Sequence, residues 1–278
     1  MTEHVRADGD ALGIRGAGVP GIVVGAATDV GRLRAVNEDG YLAIVPAFVV
    51  VDGMGGHAAG RMATRAALDA LYSLAGTTVT DVEAVVRAVM AAQEAIVAIP
   101  SHAAYLPGAT IAGVVLAWLE DEQGTTRPTW IIFNIGDARV YLLRDGMLSQ
   151  VTRDHSRVQI LIEAGELTSE QARRDPRRNI VTRALGGGIA DSAIPDLYSV
   201  PVASGDRLLV CSDGLSDELD DEGIATVLAA GYTAQRTAEL LVGASLEGGG
   251  HDNTTAVVVD STEVPVTAPV DALAEGVR

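Results

Sequence analysis

One segment constrains the fold more than any other: Val49-Val50-Val51-Asp52-Gly53-Met54-Gly55-Gly56-His57. A short β-branched run, the mark of a buried strand, stops at an acidic residue and gives way to a glycine-rich turn. A chain built this way brings a carboxylate to the end of a strand and leaves room beside it for a ligand. Further acidic clusters repeat the setting at Arg34-Ala35-Val36-Asn37-Glu38-Asp39, Leu208-Leu209-Val210-Cys211-Ser212-Asp213-Gly214 and His251-Asp252-Asn253. An isolated Asp-Gly is most often a turn. Several carboxylates at element ends are another matter, because burying like charges together is costly unless cations bind. Gathered from across a whole chain, they point to a hard-metal site.

Short apolar runs predict strands at about 22–28, 41–51, 110–119, 129–135, 138–143, 194–200, 207–212 and 254–260. Ala, Leu, Val and Met recurring at three and four residues predict helices at about 58–75 and 81–98. A second helical group covers about 155–165, 168–174, 220–230 and 233–246. Asp-Gly pairs at 39–40, 52–53, 145–146 and 213–214 read as turns between strands, and Asp145-Gly146 reads as a hairpin turn and nothing more. Strands followed directly by strands, with helices in pairs, indicate a layered antiparallel α+β protein rather than a doubly wound one. Residues 1–20 read as a flexible leader and 261–278 as a flexible tail. No linker or repeat interrupts 21–260, so a single domain is expected there.

Composition removes several function classes. Asp and Glu number 37 against 20 basic residues, a formal charge of -17, which argues against nucleic acid and against an anionic membrane surface. Every basic residue is Arg, so no phosphate-loop lysine and no Schiff-base lysine can exist. Cys211 is the only cysteine, which excludes an internal disulfide. The chain lacks a signal-peptide pattern and an apolar run of spanning length, so a cytoplasmic protein is expected. Nothing demands a dimer, and a monomer is expected.

Other chemistries fail on their residues. Gly16-Ala17-Gly18-Val19-Pro20-Gly21 has the letters of a dinucleotide loop, but it precedes a strand, opens no helix and contains Pro. A thiolate phosphatase built on Cys211 wants an arginine six residues on, where Asp217 stands. Cys211 therefore reads as a small core residue. There is no Gly-x-Ser-x-Gly elbow and no Cys/His spacing suited to zinc.

Six motifs in series closely resemble the metal-dependent Ser/Thr protein phosphatases of the 2C type (the PPM family) in their bacterial form. They are Arg34-x-x-Asn37-Glu38-Asp39, Val51-Asp52-Gly53-Met54-Gly55-Gly56-His57, Gly108-Ala109-Thr110, Asn134-Ile135-Gly136-Asp137-Ala138-Arg139, Ser212-Asp213-Gly214-Leu215 and Asp252-Asn253. The resemblance spans about 21–260 in the same order, and it implies that this stretch is a phosphatase catalytic domain. The fold implied is a four-layer α-β-β-α sandwich of two mainly antiparallel sheets, with the site where strand ends converge.

By that resemblance Asp52 bridges two Mn²⁺ or Mg²⁺ ions and the Gly53 carbonyl binds one of them. Asp213 and Asp252 hold the other, while Asp39 and Glu38 support the site directly or through water. Asp137, with Asp213, matches the position of a third, weaker metal. Arg34 grips the substrate phosphate. The implied reaction is in-line attack on phosphoserine or phosphothreonine by a water bridging the two ions, with no phosphoenzyme. Eukaryotic members have His directly after the bridging Asp-Gly, where this chain has Met54. His57, three positions on, is a candidate catalytic residue, with orienting water, donating a proton or capping the next helix as its alternatives.

The segment at about 153–182, with Arg173, Arg174, Arg177 and Arg178, resembles the mobile flap of bacterial members; a solvated charged face is the rival reading. Gly108 and Thr110 are expected to shape a strand start under the site, Arg139 to make a salt bridge inside the domain, and His155 to begin a helix. The function expected is a phosphoprotein phosphatase opposing Ser/Thr kinases, whose partners are those kinases and their phosphorylated substrates. Its alternatives are a phosphatase for one partner-switching regulator and a pseudophosphatase that only binds phosphoprotein. A metal-dependent nuclease is disfavoured by charge and motif order.

Overall fold

The computed structural model describes residues 21–100, 106–189 and 194–262, without the side chain of His57. The expected leader at 1–20, the Gly16–Gly21 pattern except its last residue, and nearly all of the expected tail at 261–278 lie outside them. In chain order the elements begin with β1 (Ile22–Asp29), β2 (Asp39–Ile44), β3 (Ala47–Met54), α1 (His57–Leu71) with a 3₁₀ turn (Tyr72–Leu74), and α2 (Val82–Val97). Next come β4 (Gly108–Glu120), β5 (Thr126–Ile135), β6 (Arg139–Arg144), β7 (Met147–Gln150), α3 (Arg157–Glu163) and α4 (Ser169–Arg173). The chain closes with β8 (Leu185–Gly186), β9 (Asp196–Pro201), β10 (Arg207–Cys211), α5 (Asp213–Ser216), α6 (Asp221–Leu228), α7 (Ala234–Gly248) and β11 (Thr254–Ser261).

Two antiparallel sheets result. One runs β1-β11-β10-β6-β7; the other runs β2-β3-β4-β5-β9, with β8 on the β4 edge. Side chains alternate along each strand, and here both faces are covered. Phe48, Val50, Val114 and Ile132 turn inward against Val140, Leu208, Val257 and Val259 of the other sheet. Their neighbours Val49, Val51, Val115 and Ile131 turn outward against α1 and α2. On the far side Leu209, Cys211 and Val258 pack under α5, α6 and α7. Three apolar cores between four layers make the α-β-β-α sandwich that the resemblance implies.

Helix ends follow local chemistry. Asp81 caps α2 by accepting the Ala84 N–H at 2.6 Å, and Val85, Ala88, Val89, Ala92 and Ile96 form its buried stripe. Thr168 and Gln171 make a reciprocal capping box on the short α4.

Two sequence expectations are corrected. The single strand at 41–51 is a hairpin of β2 and β3, broken at Val45-Pro46, where Pro46 has no N–H for the ladder. Of the Asp-Gly pairs only Asp145-Gly146 is a turn, joining β6 to β7 with both residues at positive φ (53° and 76°). Asp39-Gly40 opens β2, Asp52-Gly53 lies inside β3, and Asp213-Gly214 opens α5. There the glycine permits close approach: a Cβ on Gly53 would stand 2.4 Å from the Gly60 carbonyl oxygen, and one on Gly214 only 2.0 Å from that of Asn253.

Candidate functional site

The carboxylates meet at the end of the sandwich where β2 and β11 begin and β3 and β10 finish. Antiparallel register sets Asp39 directly opposite Asp52, and Asp52 opposite Thr110 on β4. The second sheet partner arrives from across the interface. Ser212, just after β10, and Thr255 on β11 both donate their hydroxyls to Asp39 Oδ2 at 2.7 Å. Glu38 is fixed through its backbone: its carbonyl accepts Gly53 N–H at 3.2 Å and the Thr64 hydroxyl at 2.6 Å. Asn253 accepts Glu38 N–H at 2.8 Å and donates to the Val30 and Val36 carbonyls, which ties the β1–β2 loop to the start of β11.

Charge is concentrated here without enough cations. Glu38 Oε1, Asp39 Oδ1 and Asp213 Oδ1 are buried and have no hydrogen-bond partner. Burial, reinforced by repulsion from Asp39, Asp213 and Asp137, pushes Asp52 well above the usual carboxylate range. Burial raises Asp213 to about 7, with Asp217 and Asp252 adding to the effect. Asp39 is raised to about 6 by burial, against the lowering influence of the Thr255 and Ser212 hydroxyls. Asp137 is pushed well up by burial and then by Asp213 and Asp154.

Orphaned carboxylate oxygens in a wholly oxygen-donor set fit a hard divalent cation and no softer metal. Among the described residues no three His, Cys, Asp or Glu side chains form a ready cage for a single ion.

The structure brings together Glu38, Asp39, Asp52, Gly53, Asp213 and, at the rim, Arg34 and Asp252. Arg34 Nη2 sits 2.5 Å from Asp252 Oδ2, so the expected phosphate-binding cation is paired with an expected metal ligand. Asp137 stands on the other side, in the floor with Asp213 of a cleft of about 770 Å³ between the 153–182 segment and the start of α6. His57 is the first residue of α1, and the N-cap is Gly56.

Arg139 makes the expected internal salt bridge, a fork onto buried Asp154 with contacts of 2.6–3.0 Å. His155 does not begin a helix: it is buried, accepts Gly136 N–H at 3.0 Å through Nδ1, and leaves the N-cap of α3 to Ser156. Cys211 is fully buried, its thiol pushed up to about 12 by burial, as a core residue. The four flap arginines named from the sequence are engaged within the chain. Arg173 donates to the Ser216, Asp217 and Leu219 carbonyls, Arg174 pairs with Glu170, Arg177 with Asp175 and Arg178 with Asp217.

Sequence reasoning missed Ser212, Thr255 and Asn253 as supports of the site. Two of them stand inside quoted motifs, but their direction toward Asp39 or Glu38 depends on strand register.

Fold and site together define a class: an α-β-β-α sandwich with a buried carboxylate cluster at one end of its paired sheets. Within that class the sequence model of the protein phosphatase 2C family matches residues 33–246, and the chain belongs to this family. It is 38% identical over 240 residues to the serine/threonine protein phosphatase PstP of Mycobacterium tuberculosis, an alignment covering 84% of this chain and 44% of the relative. The chain thus spans less than half the length of that relative. The crystal structure of the M. tuberculosis serine/threonine phosphatase PstP/Ppp matches with a TM-score of 0.78 and 36% identity, covering 88% of this chain and 100% of that one. The catalytic domain of PstP in complex with two manganese ions matches with a TM-score of 0.74 and 34% identity, covering 87% and 99%. Among the described residues no helix is long and apolar enough to cross a membrane.

Proposed function

We propose that the chain is a metal-dependent protein phosphatase that hydrolyses phosphoserine and phosphothreonine on proteins and opposes bacterial Ser/Thr kinases. The observation that carries this reading is the set of unpartnered, buried oxygens on Glu38, Asp39 and Asp213, at one end of a protein phosphatase 2C fold. Asp52 would be shared between two Mn²⁺ or Mg²⁺ ions, with Gly53 and Asp39 serving one and Asp213 and Asp252 the other. Asp137 with Asp213 would take a third, and Glu38 would act from behind. The two manganese ions of the PstP catalytic domain support the two central ions. Bound divalent ions supply a lowered water pKa and the positive charge that direct hydrolysis of a phosphate ester needs.

The chain's own residues do the rest. Ser212 and Thr255 hold Asp39 Oδ2, leaving Oδ1 for a ligand. Arg34, a cation at the rim of an acidic site, binds the non-bridging phosphate oxygens. The 153–182 segment, taken as the flap, walls the cleft that would receive polypeptide beside the phosphoresidue. This reading makes the chain a cytoplasmic monomer with phosphorylated proteins as partners.

The test is phosphate release from a phosphothreonine peptide with Mn²⁺ and with excess EDTA. Metal-dependent release that disappears in Asp252→Ala is expected. No release with any divalent ion would sink the reading and favour a phosphoprotein-binding pseudophosphatase. Asp137→Ala is expected to spare both central ions by calorimetry, and their loss would contradict its separate role.

A further inference from the structure

Asp252 is used differently from Asp39 and Asp213. Its Oδ1 accepts the Asn253 N–H at 2.7 Å and its Oδ2 takes Arg34 Nη2 at 2.5 Å, so both oxygens are engaged by the protein. Glu38, Asp39 and Asp213 each retain a buried oxygen with no partner. Arg34 is held in reach by its loop rather than by packing, since its side chain is 46% exposed. Asn253, the residue next to Asp252, binds the Val30 and Val36 carbonyls on either side of Arg34. The pair is therefore a built contact between the arginine loop and the start of β11.

A guanidinium and a dication brought to bonding distance of one carboxylate oxygen repel each other, so each weakens the other's hold on it. We propose that Arg34 and a divalent cation compete for Asp252 Oδ2, so that the phosphate-binding arginine is released only as the metal is taken up. This rests on the phosphatase reading of the site. Metal-free protein then keeps Arg34 occupied and does not hold phosphoproteins unproductively. Metal loading and phosphate capture become one coupled event.

Two titrations test the competition. Mn²⁺ is titrated calorimetrically into wild type, Arg34→Ala and Arg34→Lys. Removing an exposed competitor should tighten Mn²⁺ binding about two- to fivefold in Arg34→Ala, while Arg34→Lys, which keeps a cation beside Asp252, stays near wild type. Unchanged or weaker binding in Arg34→Ala overturns the proposal.

Inorganic phosphate is then titrated in EDTA into wild type, Asp252→Asn and Asp39→Asn. Asp252→Asn frees Arg34 and should bind phosphate about two- to fivefold more tightly than wild type. Asp39→Asn removes the same charge without touching Arg34 and should gain less. Equal gains in both would show a field effect alone and overturn the competition. Equal Mn²⁺ affinity in wild type and Arg34→Ala, with peptide hydrolysis intact in wild type, removes only the competition; absence of Mn²⁺ binding altogether removes the phosphatase reading as well.

Discussion

At the residue scale, what matters is how each carboxylate oxygen is used. Asp39 gives one oxygen to two hydroxyls and keeps the other buried and unpartnered, so Ser212 orients a proposed ligand without being one. Losing such a support typically costs about 10- to 100-fold in metal affinity. Ser212→Ala is expected to fall in that range by Mn²⁺ calorimetry, and wild-type affinity would remove it from the site. Asp52→Asn should abolish turnover yet leave the metal-free fold at least as stable, because it relieves burial and repulsion at once. A near-normal Mn²⁺-dependent rate in that variant would contradict the two-ion assignment. Gly214→Ala forces backbone apart at the Asn253 carbonyl, and a loss of about 1–3 kcal/mol in urea unfolding is expected.

At the element scale, the 153–182 segment is tied down at its root and again at α4. At its root, Asp154 is 7% exposed and is held by the Arg139 fork from β6. Arg139→Met would leave that carboxylate buried and uncompensated, with an expected cost of about 3–5 kcal/mol in denaturant unfolding. A cost under about 1 kcal/mol, the size of an exposed pair, would show that Asp154 escapes to water. At α4, Arg173 covers carbonyls at the end of α5 and just past it. The Arg139 salt bridge was expected from the sequence, but its Asp154 partner and the Arg173 contacts were not legible, since an arginine-rich segment reads equally well as a solvated face.

For the whole molecule, the acidic site sets a pH dependence of definite sign. Asp39 and Asp213, at about 6 and about 7, hold their protons more tightly than a carboxyl with the ordinary value of 3.8. Through that window the folded chain binds more protons than the unfolded one, so their contribution to stability falls as pH rises and is most unfavourable above the folded values. In EDTA, the unfolding temperature of wild type relative to Asp213→Asn should therefore drop between about pH 5 and pH 8. A relative rise would refute the linkage. Mn²⁺ at about a hundred times its dissociation constant should restore about 2.7 kcal/mol to wild type.

Period-two apolar runs and helical stripes are local properties, and from them the sequence by itself determined a layered antiparallel α+β protein. The ordered acidic motifs carried the resemblance that implied the sandwich, its family and the candidate carboxylates. β7 and β8 were too short to show a period, and Pro46 divided a strand that its apolar run made look continuous. Tertiary structure alone decided that Asp39 faces Asp52, that Ser212 and Thr255 reach Asp39 from the other sheet, and that Arg34 meets Asp252 across 218 positions of chain. Those contacts depend on strand register and on how two sheets close over each other, which no stretch of neighbouring residues encodes.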